Sequence, residues 1–316
     1  MNMPISNQSK PYRPSRLIQP VLLKKGDAVA LLSPSGPCDM SRIDPAARAL
    51  EGFGLRPHIM DSCRSCHGYL AGTDTLRAKD IMDAFTDPAI KGIFPLRGGY
   101  GAGRLLPLLD YGLIRKNPKV FAGYSDITAL HIVFNQYCGF ITYHAPMAGT
   151  ELHMPDIDAY TLNSFLGHVM EGRTAPELSY TSLTSGIAEG VLTGGNLSLL
   201  VSSLGSPYEI DTREKILFIE EIQEEPYRVD RMLLQLKQAG KLKDCLAIIL
   251  GSFLPETRKT LSQVIEEILI PLGKPLGVDL PCGHCLPTAT LPLGAHIYMD
   301  GGRIYSKSDN THTWSV

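Results

Sequence analysis

The chain has 316 residues, of which 44% are hydrophobic and 20% charged, and its formal net charge is −2. This length suits one large or two medium domains with a substantial buried core. The small net charge, and the lack of a lysine/arginine stripe with interleaved aromatic residues, argue against a nucleic-acid partner. Seven cysteines, an odd number, are too few for a disulfide scaffold.

The first twenty residues lack the apolar run of a secretory signal. They carry Lys10, Arg13 and Arg16, but their four prolines oppose the amphipathic helix of a transit peptide. We therefore expect a flexible tail over residues 1–20. The longest apolar runs, such as 245–254, are shorter than the roughly 20 residues of a membrane span. The expected location is the cytoplasm, with no membrane partner.

Residues 21–167 alternate strand and helix patterns. Strands are predicted over 26–36 and 56–62 and at the starts of 90–110 and 119–139, with helices over 39–55 and 74–88 and at the ends of the last two segments. Strands separated by helices of this size indicate a mostly parallel sheet with helices on both faces, in a Rossmann- or flavodoxin-like arrangement. An active site is expected at the carboxyl ends of such strands.

A polar, irregular stretch over residues 168–185 is predicted to be a linker. Residues 186–316 are predicted to form a second, smaller α/β domain. Within it the pattern predicts strands over 215–222 and 245–253 and helices over 230–240 and near 261–273. The predicted fold class is therefore α/β, with two domains.

Ser125, in the segment GYSDITALH, stands at the junction of a predicted strand and helix. A tight turn there exposes the serine hydroxyl, and Gly123 supplies the room that the turn needs. The helix N-terminus behind it presents free N–H groups to a developing oxyanion, and the N–H of Asp126 is the natural donor. The alternative is that Ser125 only caps the helix.

A second glycine-rich turn, LRGGYGAGRLL, follows a predicted strand. Gly98 and Gly99 can point a backbone N–H into a cleft, which would supply the second donor of an oxyanion hole. Phosphate binding is the rival use of such glycines. It is disfavoured because the segment lacks the GK[ST] of a P-loop and no acidic residue follows at dinucleotide-binding spacing.

The segment CGHC places Cys282 and Cys285 on either side of His284, and a second CxxC lies at Cys63 and Cys66. A redox motif would need a helix after it to lower the thiol pKa, but prolines and threonines follow instead. The four cysteines have the right number of ligands for a structural zinc ion. Otherwise they are small buried residues without a chemical role.

Taken together, several segments resemble the LD-carboxypeptidase family of serine peptidases over almost the whole chain after the tail. These segments are KKGDAVALLSPSG, GYLAGTDTLRAKDIMDAFTDP, LRGGYGAGRLLPLLD, GYSDITALH, YHAPM, LTGGNLSLLVSSLGSP, LFIEEIQEEPYRVDRMLLQL and GHCLPTATLPLG. The resemblance implies a catalytic triad of Ser125, Glu220 and His284. It also implies an oxyanion hole made by the N–H groups of Asp126 and Gly99.

The resemblance further implies a cytoplasmic homodimer that acts without a metal or organic cofactor. The substrate it implies is a small murein peptide, cleaved between an L-configured centre and a terminal D-alanine. Arg97, Tyr124 and Asn196 are expected to contact that substrate. Three alternatives are a microcin-immunity-like hydrolase of peptidyl or aminoacyl nucleotides, a non-catalytic zinc protein, and an α/β-hydrolase esterase. The esterase is disfavoured because its sheet would continue past the serine helix, where the predicted linker stands.

Overall fold

The computed structural model describes residues 17–172, 178–254 and 258–306, and of residues 254 and 258–260 the backbone alone. Its strands are β1 (Ala28–Leu32), β2 (Arg56–Ile59), β3 (Ile90–Pro95), β4 (Val120–Gly123), β5 (Thr142–His144), β6 (Leu178–Ser179), β7 (Thr181–Thr184), β8 (Ala188–Asn196), β9 (Lys215–Ile222), β10 (Ala247–Leu254), β11 (Leu276–Val278), β12 (Leu291–Leu293), β13 (His296–Asp300) and β14 (Arg303–Tyr305). Its α-helices are α1 (Ile43–Gly52), α2 (Asp74–Thr86), α3 (Tyr111–Lys116), α4 (Thr128–Val133), α5 (Ala159–Leu166), α6 (Leu197–Ser202), α7 (Pro226–Gln238), α8 (Lys241–Asp244) and α9 (Arg258–Val264).

The first sheet has the strand order β12-β5-β4-β3-β1-β2, and strands β1 to β5 run parallel. Alternate residues of each strand face opposite sides, so apolar residues on both faces need a helical cover. Helices α1 and α5 pack on one face, and α2, α3 and α4 pack on the other. The parallel arrangement puts the loops after β1, β3 and β4 at one edge of the sheet.

The second sheet has the order β6-β14-β13-β8-β9-β10-β11-β7, with a parallel centre of β8 to β11 and antiparallel flanks. Helices α6 to α9 contribute to the core on one face of β9 and β10. The apolar residues Leu280, Leu291 and Leu293 belong to the core on the other face. The predicted fold class, a mostly parallel sheet flanked by helices followed by a second α/β unit, is confirmed.

Several segments lie differently from the predicted domain boundaries. Residues 1–16 of the predicted tail lie outside the described residues, but Ile18 pairs with Phe140 in a parallel bridge. Most of the predicted linker has regular structure, since Gly167–Glu171 extends α5 as a π-helical turn and β6 and β7 belong to the second sheet. Strand β12, from the C-terminal part, pairs with β5 and so completes the first sheet. The first sheet therefore includes one strand from the predicted C-terminal domain, and the division into two domains stays a prediction.

None of the described helices combines the length and apolarity that a membrane span requires.

Candidate active site

Ser125 follows β4 directly, and its backbone has φ of 65°, in the left-handed region. A side chain in this region costs roughly 1–2 kcal/mol, so the surrounding structure must impose it. The next residues form a 3-10 turn over Ser125–Ile127 that runs into α4, and Ile127 is fully buried. This strained strand-to-helix turn has the form of a nucleophile elbow, with the serine side chain partly exposed.

The glycine turn after β3 lies against this serine. A methyl group placed on Gly98 would be 2.9 Å from Cβ and 3.0 Å from Oγ of Ser125, so only glycine fits there. The carbonyl of Gly98 accepts a hydrogen bond of 3.4 Å from Gly36. In a trans peptide the following N–H points the opposite way, so the N–H of Gly99 is directed away from Gly36. Neither that N–H nor the N–H of Asp126 donates to another described residue.

Glu220 and His284 form a hydrogen-bonded pair. Oε2 of Glu220, on β9, accepts from Nδ1 of His284 at 2.6 Å; the carboxylate is fully buried and the imidazole is 12% exposed. This bond places the imidazole proton on Nδ1 and leaves Nε2 as a proton acceptor. The His284 ring packs edge-to-face on Tyr124, with ring centroids 4.7 Å apart. The imidazole thus lies beside Tyr124, the residue that precedes Ser125. Among the described residues, the hydrogen-bond partner of His284 is Glu220, and Ser125 and His284 are not hydrogen-bonded to each other.

The neighbouring Glu221 points to the opposite face of β9 and has a structural role. Its carboxylate accepts hydrogen bonds of 2.8 Å from Nδ2 of Asn196, 2.8 Å from the N–H of Ser198 and 2.7 Å from the Ser198 hydroxyl. Asn196 is one of the predicted substrate contacts. Its Nδ2 is bonded to Glu221 and its Oδ1 caps α6 by accepting from Leu199 at 3.4 Å, so both polar ends are used inside the protein.

The other two expected substrate contacts have different surroundings. Arg97 is exposed, and its Nη1 donates to the carbonyl of Pro37 at 3.3 Å; it has no carboxylate partner among the described residues. Tyr124 is buried and donates its hydroxyl to Oε1 of Glu151 at 2.6 Å. Burial, reinforced by the Glu151 carboxylate, raises the pKa of the Tyr124 hydroxyl, so it stays protonated. Arg97 is available to an anion, whereas Tyr124 presents only its ring.

The cysteines do not build a site. Cys63 and Cys282 are buried, Cys66 is exposed, Cys285 is partly exposed, and all four are free thiols. Within residues 17–172, 178–254 and 258–306, no group of three or more His, Cys, Asp or Glu side chains is arranged to hold a metal ion. The two CxxC motifs therefore do not converge on zinc. No helix follows Cys282, and burial raises the pKa of its thiol well above the ordinary value, which disfavours a redox role.

Two family models match the chain: the LD-carboxypeptidase N-terminal domain over residues 29–145 and the C-terminal domain over residues 189–299. A probable murein peptide carboxypeptidase of Bacillus subtilis is 43% identical, over 89% of this chain and 91% of that protein. The muramoyltetrapeptide carboxypeptidase of Oxalobacter formigenes has a crystal structure that matches with a TM-score of 0.78 and 33% identity, over 88% of this chain and 97% of that one.

The microcin C7 self-immunity protein MccF, in complex with aspartyl sulfamoyl adenosine, matches with a TM-score of 0.81 and 26% identity, over 91% of this chain and 97% of that one. The chain belongs to the LD-carboxypeptidase family. The predicted family and the predicted class, a serine-type peptidase, are confirmed.

Replacing Gly283 by alanine should separate the Glu220–His284 pair. A methyl group there would lie 2.8 Å from Oε2 and 2.9 Å from Cβ of Glu220, and the residue has φ of 108°. We expect Gly283→Ala to lower kcat by at least tenfold. The matched control is Gly273→Ala, also at positive φ (64°) but with open space around it, so it carries the backbone strain alone. We expect loss of activity only in Gly283→Ala, and a larger loss of stability there than in Gly273→Ala, because the new methyl group also presses on Glu220. Full activity of Gly283→Ala would contradict this role of Gly283.

Proposed function

We propose that the protein releases the terminal D-alanine of a murein tetrapeptide by hydrolysing the amide between that residue and the preceding L-configured centre. The observation that carries the proposal is the hydrogen bond of 2.6 Å between Glu220 and His284, with the imidazole packed on the residue before Ser125. The strained conformation of Ser125 and the unused N–H groups beside it support the same chemistry. The printed names of the murein and muramoyl-peptide relatives support the substrate class.

In the proposed reaction, Oγ of Ser125 attacks the carbonyl carbon of the scissile amide while Nε2 of His284 takes the hydroxyl proton. The carbonyl oxygen becomes an oxyanion, which the N–H groups of Asp126 and Gly99 stabilise. The imidazolium is stabilised by the buried Glu220 carboxylate and passes its proton to the nitrogen of the leaving D-alanine. The remaining peptide is then an ester of Ser125.

Water completes the cycle. His284 takes a proton from the water as it attacks the ester carbon, a second tetrahedral intermediate forms in the same hole, and Ser125 leaves with the proton returned by the imidazolium. Arg97 is proposed to bind the terminal carboxylate, because its guanidinium is exposed, lacks an anionic partner among the described residues, and is adjacent to Gly98. No step requires a metal or an organic cofactor.

We further propose that the segment 21–167 supplies the nucleophile and the segment 186–316 supplies the acid and the base, in a cytoplasmic homodimer. The placement of Ser125 after β4, and of Glu220 and His284 in or after the second sheet, supports the division of labour. The homodimer rests on the family resemblance. Light scattering on the purified protein tests it, and a mass equal to the 34.5 kDa of one chain would refute it.

A second candidate substrate is an aminoacyl or peptidyl nucleotide. The fold similarity to MccF, solved with aspartyl sulfamoyl adenosine, favours it. The same three side chains would perform that hydrolysis, so only the pocket around the leaving group would differ.

Ser125→Ala should reduce D-alanine release from a murein tetrapeptide by roughly 10⁴-fold or more, because the nucleophile of a triad carries most of its rate enhancement. Mass spectrometry of the products checks this, with Ser182→Ala, an exposed serine of β7, as the unchanged control. Undiminished D-alanine release from Ser125→Ala would refute the nucleophile. Cleavage of an aspartyl sulfamoyl nucleotide, with no cleavage of the tetrapeptide, would replace the murein substrate by the second candidate.

The adjacent glutamates Glu220 and Glu221 should separate catalysis from stability. Glu220→Gln should lower kcat by roughly 10³- to 10⁴-fold, because the amide no longer stabilises the imidazolium or selects its tautomer. Glu221→Gln should keep kcat within about threefold but lower the free energy of unfolding by about 1–3 kcal/mol, since it weakens the contacts to Asn196 and Ser198. Steady-state kinetics and urea unfolding of both variants provide the test; the opposite pairing of effects would be incompatible with the assignment.

A further inference from the structure

Arg77, on α2, is a fully buried arginine near the nucleophile turn. Arginine is almost never fully buried unless its donors are paired. Nη1 donates to the carbonyls of Pro34, after β1, and of Gly101, at 3.0 Å in the glycine turn. Nη2 pairs with Asp74, and Nε has no partner among the described residues. The guanidinium therefore joins two of the loops that meet at the carboxyl edge of the first sheet.

Asp74 holds this guanidinium from the surface side. Its carboxylate also accepts two hydrogen bonds of 2.9 and 3.0 Å from Nε of Arg104 and one of 2.8 Å from Nη2. The bonds from Nε to Oδ1 and from Nη2 to Oδ2 are parallel, and such a pair fixes the orientation of the Asp74 carboxylate as well as balancing its charge. Arg77 is thus prevented from swinging away from Gly101.

The carboxylate of Asp126 binds the same glycine turn from the other side. It is 2% exposed, and its Oδ2 accepts the N–H of Ala102 at 2.8 Å. Burial raises the pKa of this carboxyl, and hydrogen bonds to it oppose that effect, with a smaller contribution from the charge of Arg77. Asp126 therefore has two roles. Its backbone N–H is one proposed oxyanion donor, and its side chain binds the turn that carries the other proposed donor, Gly99.

The turn from Gly98 to Ala102 is consequently held at both ends. Gly98 rests on Ser125, and a methyl group on Gly101 would lie 2.8 Å from Nη1 of Arg77, so the far end has no free space. Oxyanion donors act only if they are placed within a few tenths of an ångström of the position that the oxygen will occupy. The buried side chains of Arg77 and Asp126 are therefore well placed to set the distance between the N–H groups of Gly99 and Asp126.

We propose that Arg77 and the carboxylate of Asp126 are positioning residues of the oxyanion hole. The inference rests on the proposed function and adds to it two side chains that do not touch the substrate. Because the oxyanion exists only in the tetrahedral states, displacing a donor should weaken transition-state binding and leave substrate binding nearly unchanged. The predicted signature is a fall in kcat at constant KM.

The test compares Arg77→Met, Arg77→Lys and Asp126→Asn with Lys79→Met, which removes an exposed ion pair on the same helix. We expect kcat on the murein tetrapeptide to fall roughly 10- to 100-fold in Arg77→Met and about tenfold in Asp126→Asn, a smaller loss than that of a whole donor. KM should stay within threefold, Arg77→Lys should recover part of kcat, and Lys79→Met should match the native protein. A peptide boronic acid, which forms a tetrahedral adduct with serine, should bind more weakly in proportion to the fall in kcat.

Circular dichroism and urea unfolding identify variants that fail to fold. If Arg77→Met fails to fold, the kcat values of Asp126→Asn and Arg77→Lys test the positioning role. Native kcat and native boronic-acid affinity in the folded variants, or a loss confined to KM, would overturn the positioning role. That result is distinct from failure of the proposed function, which appears as full activity of Ser125→Ala. A normal kcat in Asp126→Asn, together with an inactive Ser125→Ala, would refute only the present inference.

Discussion

The left-handed backbone of Ser125, wedged against Gly98, is the constraint on which the site depends. A relaxed serine at this position would avoid a cost of roughly 1–2 kcal/mol, but it would lose the tight strand-to-helix turn that exposes a serine hydroxyl. The buried Ile127 and the four buried residues of β4 hold the turn in place. On the other side, Gly98 permits an approach that any side chain would block. The strained backbone and the close packing therefore both keep the Ser125 oxygen at the edge of the first sheet.

A short path of contacts connects the segment after Ser125 to the strand that carries Glu220, across the two sheets. Oγ1 of Thr128, at the start of α4, accepts from the N–H of Asn196 at 3.1 Å, and Asn196 is the register partner of Glu220 on β9. A methyl group on Gly195 would lie 2.5 Å from that Thr128 oxygen, so the end of β8 and the start of α4 are in direct contact. The pairing of β12 with β5 adds a second junction. The helix that follows Ser125 is thus packed directly against the strand beside Glu220.

Local pattern was sufficient for the elements with clear periodicity. The strand predicted over 215–222 is β9 in full, and the helix predicted over 74–88 is α2, which ends at Thr86. The segments predicted as linker and tail contain β6, β7 and the Ile18 bridge, which are stabilised by partners far away in the chain. Non-local pairing of this kind leaves no signal in a short polar stretch.

The sequence predicts which residue types build the candidate site. It does not predict the contacts of the neighbouring residues that hold them in place. The GYSD and RGGYG segments predict a serine elbow beside a glycine turn, but not that Gly98 is the residue in contact with Ser125. Arg77 looks like a surface residue in an amphipathic helix, and its complete burial follows from loops brought together by the fold. The contacts of Asn196 also depend on the fold, because its side-chain amide is hydrogen-bonded to Glu221 and to the first turn of α6.

The most direct test is a crystal structure of the protein after reaction with a peptide boronic acid in which boron replaces the carbonyl carbon of the L-configured centre, the atom that Ser125 is proposed to attack. We expect a bond from Oγ of Ser125 to a tetrahedral boron. One boron-bound oxygen should lie about 2.7–3.1 Å from the N–H groups of Asp126 and Gly99, and Nε2 of His284 should be within hydrogen-bond reach of the serine oxygen. An adduct on another residue, or an imidazole still remote from a modified Ser125, would contradict the proposed triad.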